Sequence, residues 1–93
     1  VVSGQTVDQM TDIEIDAFID EVKGEILPKK KCLALIVSTS KMIKKRPAEV
    51  DKLKGDESLI LTLGNCLNDH NFPLIAGHRK RVKKTFGLKG KGN

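Results

Sequence analysis

Aromatic side chains are scarce in this chain of 93 residues, which contains no Trp, no Tyr and only three Phe. A hydrophobic core therefore has to be built mainly from Ile, Leu and Val, and we expect one domain of moderate stability. The scarcity also argues against recognition of single-stranded RNA, because that recognition relies on the stacking of bases on aromatic rings.

Long apolar runs and metal-ligand motifs are missing too. The longest apolar run, residues 32–37, is far too short to cross a membrane. Cys32 and Cys66 form no Cys-x-x-Cys motif and no ligand set with the histidines, so we expect no metal site and no cofactor. Both cysteines lie in apolar helical patterns, which predicts two buried free thiols in a reducing, intracellular compartment. A disulfide between them is the alternative.

Residues that could carry catalysis are few, and we expect that the chain is not an enzyme. His70 and His78 lie on either side of a predicted turn, and Asp69 beside His70 is typical of a turn or cap. His78 flanks an apolar helical pattern and is more typical of a packed residue than of a general base. The sequence has no Gly-rich phosphate loop and no pair of inward-facing carboxylates.

Apolar residues recur at helical spacing through most of the chain, which predicts an all-α fold, a compact single domain of about five helices around an aliphatic core. We expect a flexible leading segment over residues 1–10, a helical interaction domain over 11–87 and a disordered basic tail over 88–93. The predicted helices cover residues 12–26, 28–45, 47–54, 57–67 and 73–86.

Local signals indicate where several of these helices begin and end. Thr11 and Glu14 have the spacing of a capping box, and Asp56 is placed as the N-cap of the fourth helix. Pro28 is expected to end the first helix and to lie in the first turn of the second. Gly64, inside the fourth helix, predicts the close approach of a neighbouring helix.

Charges of opposite sign are concentrated in different parts of the chain. Residues 1–27 have a net charge of −6, whereas residues 28–93 have a net charge of +11. The basic part is therefore expected to face an anionic partner.

The fifth predicted helix combines a narrow apolar seam with a dense basic face. Ile75, Val82 and Phe86 project to one side, which predicts contact with the core. Basic residues cover the other side, and a second basic group opens the second helix, where positive charge opposes the helix dipole. The residues that we predict to bind an acidic partner are Arg79, Lys80, Arg81, Lys83, Lys84, Lys29, Lys30 and Lys31.

These basic residues, near the end of a small helical domain, give the chain a resemblance to a known family. The chain resembles the C-terminal domain of rhabdovirus-type phosphoproteins, and a plant-infecting member would fit the absence of Trp. The resemblance implies that the basic surface binds a nucleoprotein assembled on RNA and that the protein is a non-catalytic cofactor of the viral polymerase. The location expected is the host cytoplasm, with the nucleus as an alternative.

The basic residues also leave a second function open, a general nucleic-acid-binding domain that contacts RNA or DNA phosphates directly. Neutralisation of phosphates requires only exposed Lys and Arg side chains. We expect the domain itself to be monomeric. We also expect it to bind no membrane, because the narrow apolar seam of the fifth helix should pack against the core.

Overall fold

The computed structural model describes residues 9–70 and 72–88, and this part of the chain is all-α, without a strand. Its helices are Asp12–Val22 (α1), Lys29–Lys45 (α2), Pro47–Leu53 (α3), Glu57–Asp69 (α4) and Ala76–Phe86 (α5). A 3-10 turn, Pro73–Ile75, leads directly into α5. The prediction of an all-α domain with five helices, one of them short, is thereby confirmed.

Most of the predicted leading segment and tail lies outside the described residues, namely residues 1–8 and 89–93. The parts of those segments that are described belong to the domain. Met10 and Leu88 both pack against the core, and the N–H of Leu88 donates to the carbonyl of Lys83 over 2.8 Å.

The second helix, α2, forms the centre of the domain because several of its faces are apolar. All its residues from Ala34 to Ser40 are buried. The hydroxyls of Ser38 and Thr39 donate to the carbonyls of Ala34 and Leu35 over 2.6 and 2.7 Å, which removes most of the cost of burying them. The most extensive helix–helix contact in the described residues is between α2 and α5.

The core is aliphatic apart from two Phe, as the composition predicts. Five helices contribute to it, but α5 does so with a single fully buried side chain, Val82. The buried apolar residues, apart from the cysteines, are Ile15, Phe18, Ile19, Val22, Ala34, Leu35, Ile36, Val37, Met42, Val50, Leu59, Leu63, Leu67, Phe72 and Val82.

The first helix ends at Val22 and not at residue 26, so that prediction is wrong. Gly24 adopts a φ of 75°, a left-handed conformation that glycine reaches without steric cost, and its N–H donates to the Thr62 hydroxyl of α4 over 2.8 Å. Ile26, the last residue of the predicted helix, is 90% exposed and does not continue the apolar face of α1. Pro28 is the N-cap of α2, so Gly24 and not Pro28 ends α1.

The predicted caps are confirmed. The Thr11 hydroxyl accepts from the N–H of Glu14 over 3.2 Å, and the Glu14 carboxylate accepts from the N–H of Thr11 over 3.1 Å. The Asp56 carboxylate accepts from the N–H of Leu59 over 3.3 Å. These bonds satisfy amides at the first turns of α1 and α4 that have no partner within their own helix.

The prediction that a neighbouring helix approaches closely at Gly64 is wrong. No atom of a neighbouring element lies within 4 Å of the position that a Cβ would occupy there. The buried side chains of α4 lie on another face of the helix, so Gly64 does not meet a packed neighbour.

Cys32 and Cys66 form a disulfide that joins α2 to α4, so the prediction of two free thiols is wrong and the alternative holds. Both residues are buried, and their Cα atoms are 5.3 Å apart. An apolar helical pattern shows that each cysteine faces the interior, but it does not show that the two faces meet. Because the thiols are not free, the cysteines no longer indicate a reducing compartment.

Candidate anion-binding surface

An ion pair with two parallel hydrogen bonds joins Arg46, at the end of α2, to α1. The guanidinium of Arg46 contacts the carboxylate of Asp16 through two parallel hydrogen bonds, Nη1–Oδ2 and Nη2–Oδ1, each of 3.1 Å. The Nε of Arg46 lies 3.8 Å from an oxygen of Asp12. The hydrogen bonds to Asp16 raise the pKa of Arg46. Acidic residues of α1 are thus used to hold α2.

A second ion-pair cluster holds the end of α1 against the start of α4. The ammonium of Lys23 lies 2.6 Å from Asp56 and 3.2 Å from Asp20. Hydrogen bonds to Asp56 and Asp20 raise the pKa of Lys23, and the bond from Lys23 lowers the pKa of Asp56. Asp56 therefore caps α4 and binds Lys23 at the same time.

The basic residues of α5 form no ion pair with any of the described residues. Lys80, Arg81 and Lys84 are exposed, whereas Arg79 and Lys83 are half-buried. The Nε of Arg79 is buried without a hydrogen-bond partner in this part of the chain. We call the set of Arg79, Lys80, Arg81, Lys83 and Lys84 the α5 basic surface.

A chain of hydrogen bonds fixes the α5 basic surface on α2. The Ser40 Oγ, on a fully buried residue, accepts from Nη1 of Arg81 over 3.1 Å and lies 2.7 Å from Nδ1 of His78. Because Arg81 is the donor to this oxygen, the Ser40 hydroxyl can donate to Nδ1 of a neutral His78. Ser40 is closed off from solvent, so its contact with His78 joins two helices and does not present a nucleophile.

The surroundings of His78 extend the positive charge from α5 onto α2. Burial lowers the pKa of His78, and the charges of Arg81 and Lys41 lower it further. Lys41 follows Ser40 on α2, and Arg81 lies on α5, so each of the two helices contributes a base whose charge acts on the imidazole. The sequence pattern gives no indication that Lys41 acts on His78, because the two residues are 37 positions apart in the chain.

The lowered pKa of His78 predicts that the domain loses stability in mild acid. The unfolded chain binds the proton first, near pH 6.5, so the free energy of unfolding should fall as the pH drops from about 6.5 through the lower folded pKa. The variant His78→Gln should lack this part of the pH dependence. Urea unfolding of both proteins at pH 7.5 and pH 5 measures it, and equal pH dependence in the two would contradict the prediction.

The predicted basic group at the start of α2 lies apart from the hydrogen bonds that join Ser40 to His78 and Arg81. Lys29, Lys30 and Lys31 are all exposed in the first turn of α2. The rise from Lys29 to Ser40 along α2 is roughly 16 Å. Within residues 9–70 and 72–88, no hydrogen bond or ion pair links these lysines to α5. The structure therefore supports the α5 group and the α2 group as two separate basic regions.

Comparisons with known proteins give no match. No protein-family model matches the chain, and neither a search of curated proteins nor one of solved structures finds a similar protein. Among the described residues, no group of three or more His, Cys, Asp or Glu is placed to hold a metal ion, and no helix is long and apolar enough to cross a bilayer.

Proposed function

We propose that the domain is a non-catalytic interaction module that binds an acidic partner through the α5 basic surface. The proposal rests on one observation. Within the described residues, Lys23, Arg46 and Lys54 are paired with carboxylates, whereas the bases of α5 are not. Five neighbouring positive charges repel one another, and a bound anionic partner would remove that cost.

The proposed partner is an acidic segment of a nucleoprotein assembled on RNA, with the protein acting as a cofactor of a viral polymerase. The resemblance to rhabdovirus-type phosphoproteins supports this choice. The side chains support it as well, because Arg79 and Arg81 carry planar guanidinium groups that can bind carboxylates through two hydrogen bonds. The chain has no Trp or Tyr on which exposed bases could stack.

A second candidate function is direct binding to RNA or DNA phosphates. The exposed lysines of α5, Lys80 and Lys84, favour it, since flexible ammonium groups neutralise phosphates without a defined geometry.

Binding of the unmodified domain to three ligands separates the two functions: free RNA, duplex DNA and nucleoprotein assembled on RNA. Contacts with phosphates should give a steep salt dependence, with roughly 0.7–0.9 log units of affinity lost per decade of salt for each phosphate neutralised. Contacts with carboxylates should give a shallower dependence, since no condensed counterions are released. Tight binding to free RNA with no gain from nucleoprotein would overturn the first function.

Charge reversal tests whether the α5 basic surface is the site. We expect the variant K80E/K84E to lose at least about tenfold in affinity for the nucleoprotein–RNA complex, because two attractive charges become repulsive. Both positions are exposed, so circular dichroism should show an unchanged fold. Lys83, in contrast, is half-buried and is left unchanged.

The matched control is K30E/K31E, which makes the same change in net charge at the start of α2, where both side chains are also exposed. The sequence alone grouped Lys30 and Lys31 with the partner-binding residues, but they lie apart from α5, so the proposed site leaves them out. We expect the control to reduce the affinity by less than about threefold, as is usual for exposed charges outside a contact. An equal loss in both variants would show that binding follows net charge and not the α5 basic surface.

A further inference from the structure

The solvent-facing stripe of α5 does not consist of bases alone. At helical spacing it runs from Gly77 through Lys80 and Arg81 to Lys84, and all four residues are exposed. The 3-10 turn that leads into α5 places Leu74 directly before this stripe. Leu74 therefore precedes the first residue of this stripe by three positions in the chain.

Leu74 is 99% exposed, the highest value among the large apolar residues of the described chain. The others that are strongly exposed, Ile13, Ile26 and Leu61, lie on α1, in the α1–α2 connection and on α4. Leu74 is thus the one exposed large apolar side chain, among the described residues, that lies next to the α5 basic surface in the chain.

Gly77 is not explained by the packing of the domain. It lies within α5, its φ is not positive, and no atom of a neighbouring element lies within 4 Å of the position that a Cβ would occupy. Gly77 is the second residue of α5, and a glycine in a helix is less favourable than alanine, by up to about 1 kcal/mol in a helix interior. The domain itself has room for an alanine at this position. The absence of a side chain at Gly77 would instead allow another molecule to approach the backbone of α5 closely.

We propose that Leu74 and Gly77 form an apolar seat beside the α5 basic surface, and that it takes an apolar side chain of the acidic partner segment. This inference rests on the proposed function and deepens it. Lys80 and Lys84 lie about 4.5 and 10 Å further along the helix axis than Gly77. A partner segment that fits this arrangement carries one apolar residue, with carboxylates about 4.5 to 10 Å away from it along the segment.

The choice of an acidic protein segment follows from the bases of the stripe together with the exposed Leu74 before it. Exposed bases select carboxylates or phosphates, but an apolar side chain next to them gains only from a partner that also offers apolar surface. A polyanion without apolar side chains would use the bases and leave Leu74 in water.

Two acidic peptides of equal length and charge test the seat. One carries a leucine beside its glutamates, and the other carries a serine at that place. We expect the leucine peptide to bind at least about fivefold more tightly, as partial burial of one leucine would give. It should also shift the NMR amide signals of Leu74 and Gly77, whereas both peptides should shift those of Lys80 and Lys84.

Alanine at two glycines supplies the control variants. Gly77→Ala and Gly64→Ala should each stabilise the domain, with the larger gain at Gly64, which lies in the middle of its helix. Only Gly77→Ala should reduce the affinity for the leucine peptide, to about that for the serine peptide. Leu74→Ser should reduce it likewise, and Leu61→Ser, on α4, should not.

The outcomes keep this inference and the proposed function apart. Equal binding of the two peptides, with shifts at Lys80 and Lys84, would overturn the apolar seat and leave the α5 basic surface as the binding site. Absence of shifts at Lys80 and Lys84 with either peptide would overturn the proposed function itself. Unchanged binding of the leucine peptide to the Gly77→Ala variant would also refute the seat.

Discussion

Replacing Phe18 with alanine is expected to lower the free energy of unfolding by about 3–5 kcal/mol. Phe18 is 6% exposed and lies on the face of α1 that packs against α2 and α4. The change would remove apolar surface from the core and leave a cavity that the surrounding aliphatic side chains can fill only in part. Urea unfolding followed by circular dichroism gives the difference in free energy.

Ile13 provides the control for this prediction, because it lies on the same helix and is 81% exposed. Ile13→Ala should change the free energy of unfolding by no more than about 0.5 kcal/mol. If Phe18→Ala cost less than about 1 kcal/mol, then α1 would not be docked on the core as described.

Removing the disulfide should have the second large effect. The variant C32A/C66A is expected to lose about 3–4 kcal/mol of stability in oxidising buffer, because the unfolded chain regains the freedom of a long loop. The two cysteines are 34 residues apart in the sequence. Urea unfolding of both proteins under the same conditions measures the loss.

A reductant gives the control within the same experiment. It should lower the stability of the wild-type protein toward that of the variant, and it should leave the variant itself unchanged. Equal stability of the wild type with and without reductant would mean that the bond contributes nothing to the fold.

Most of the fold follows from the sequence because apolar periodicity and capping residues act locally. The buried stripe of α1 includes Ile15, Phe18 and Ile19, and the helical spacing of these apolar residues is enough to predict it. The pattern fails where a long-range contact overrides it. Gly24 leaves the helix because its N–H reaches Thr62, and Cys32 meets Cys66 through the packing of two helices.

The candidate site is less accessible to sequence reasoning than the fold. The helical spacing of the bases of α5 predicts a basic face, but it does not predict which side chains of the domain contact these bases or the other charged residues. Nothing in the sequence indicates that Arg46 is bound by Asp16, or that Ser40 joins His78 to Arg81. These contacts connect positions 30 to 41 residues apart, so they depend on how the helices are arranged. That arrangement decides which charges remain for a partner.

The disulfide has a mechanical consequence as well. A pull on the two ends of the chain cannot extend the segment between Cys32 and Cys66, which are 34 residues apart, while the bond is intact. At about 3.5 Å per residue, this closed loop withholds roughly 120 Å of contour length. The loop contains all of α3 and most of α2 and α4. Under load, the unfolded chain with the bond intact would therefore reach an end-to-end length roughly 120 Å shorter than the reduced chain, because only the residues outside the loop can extend.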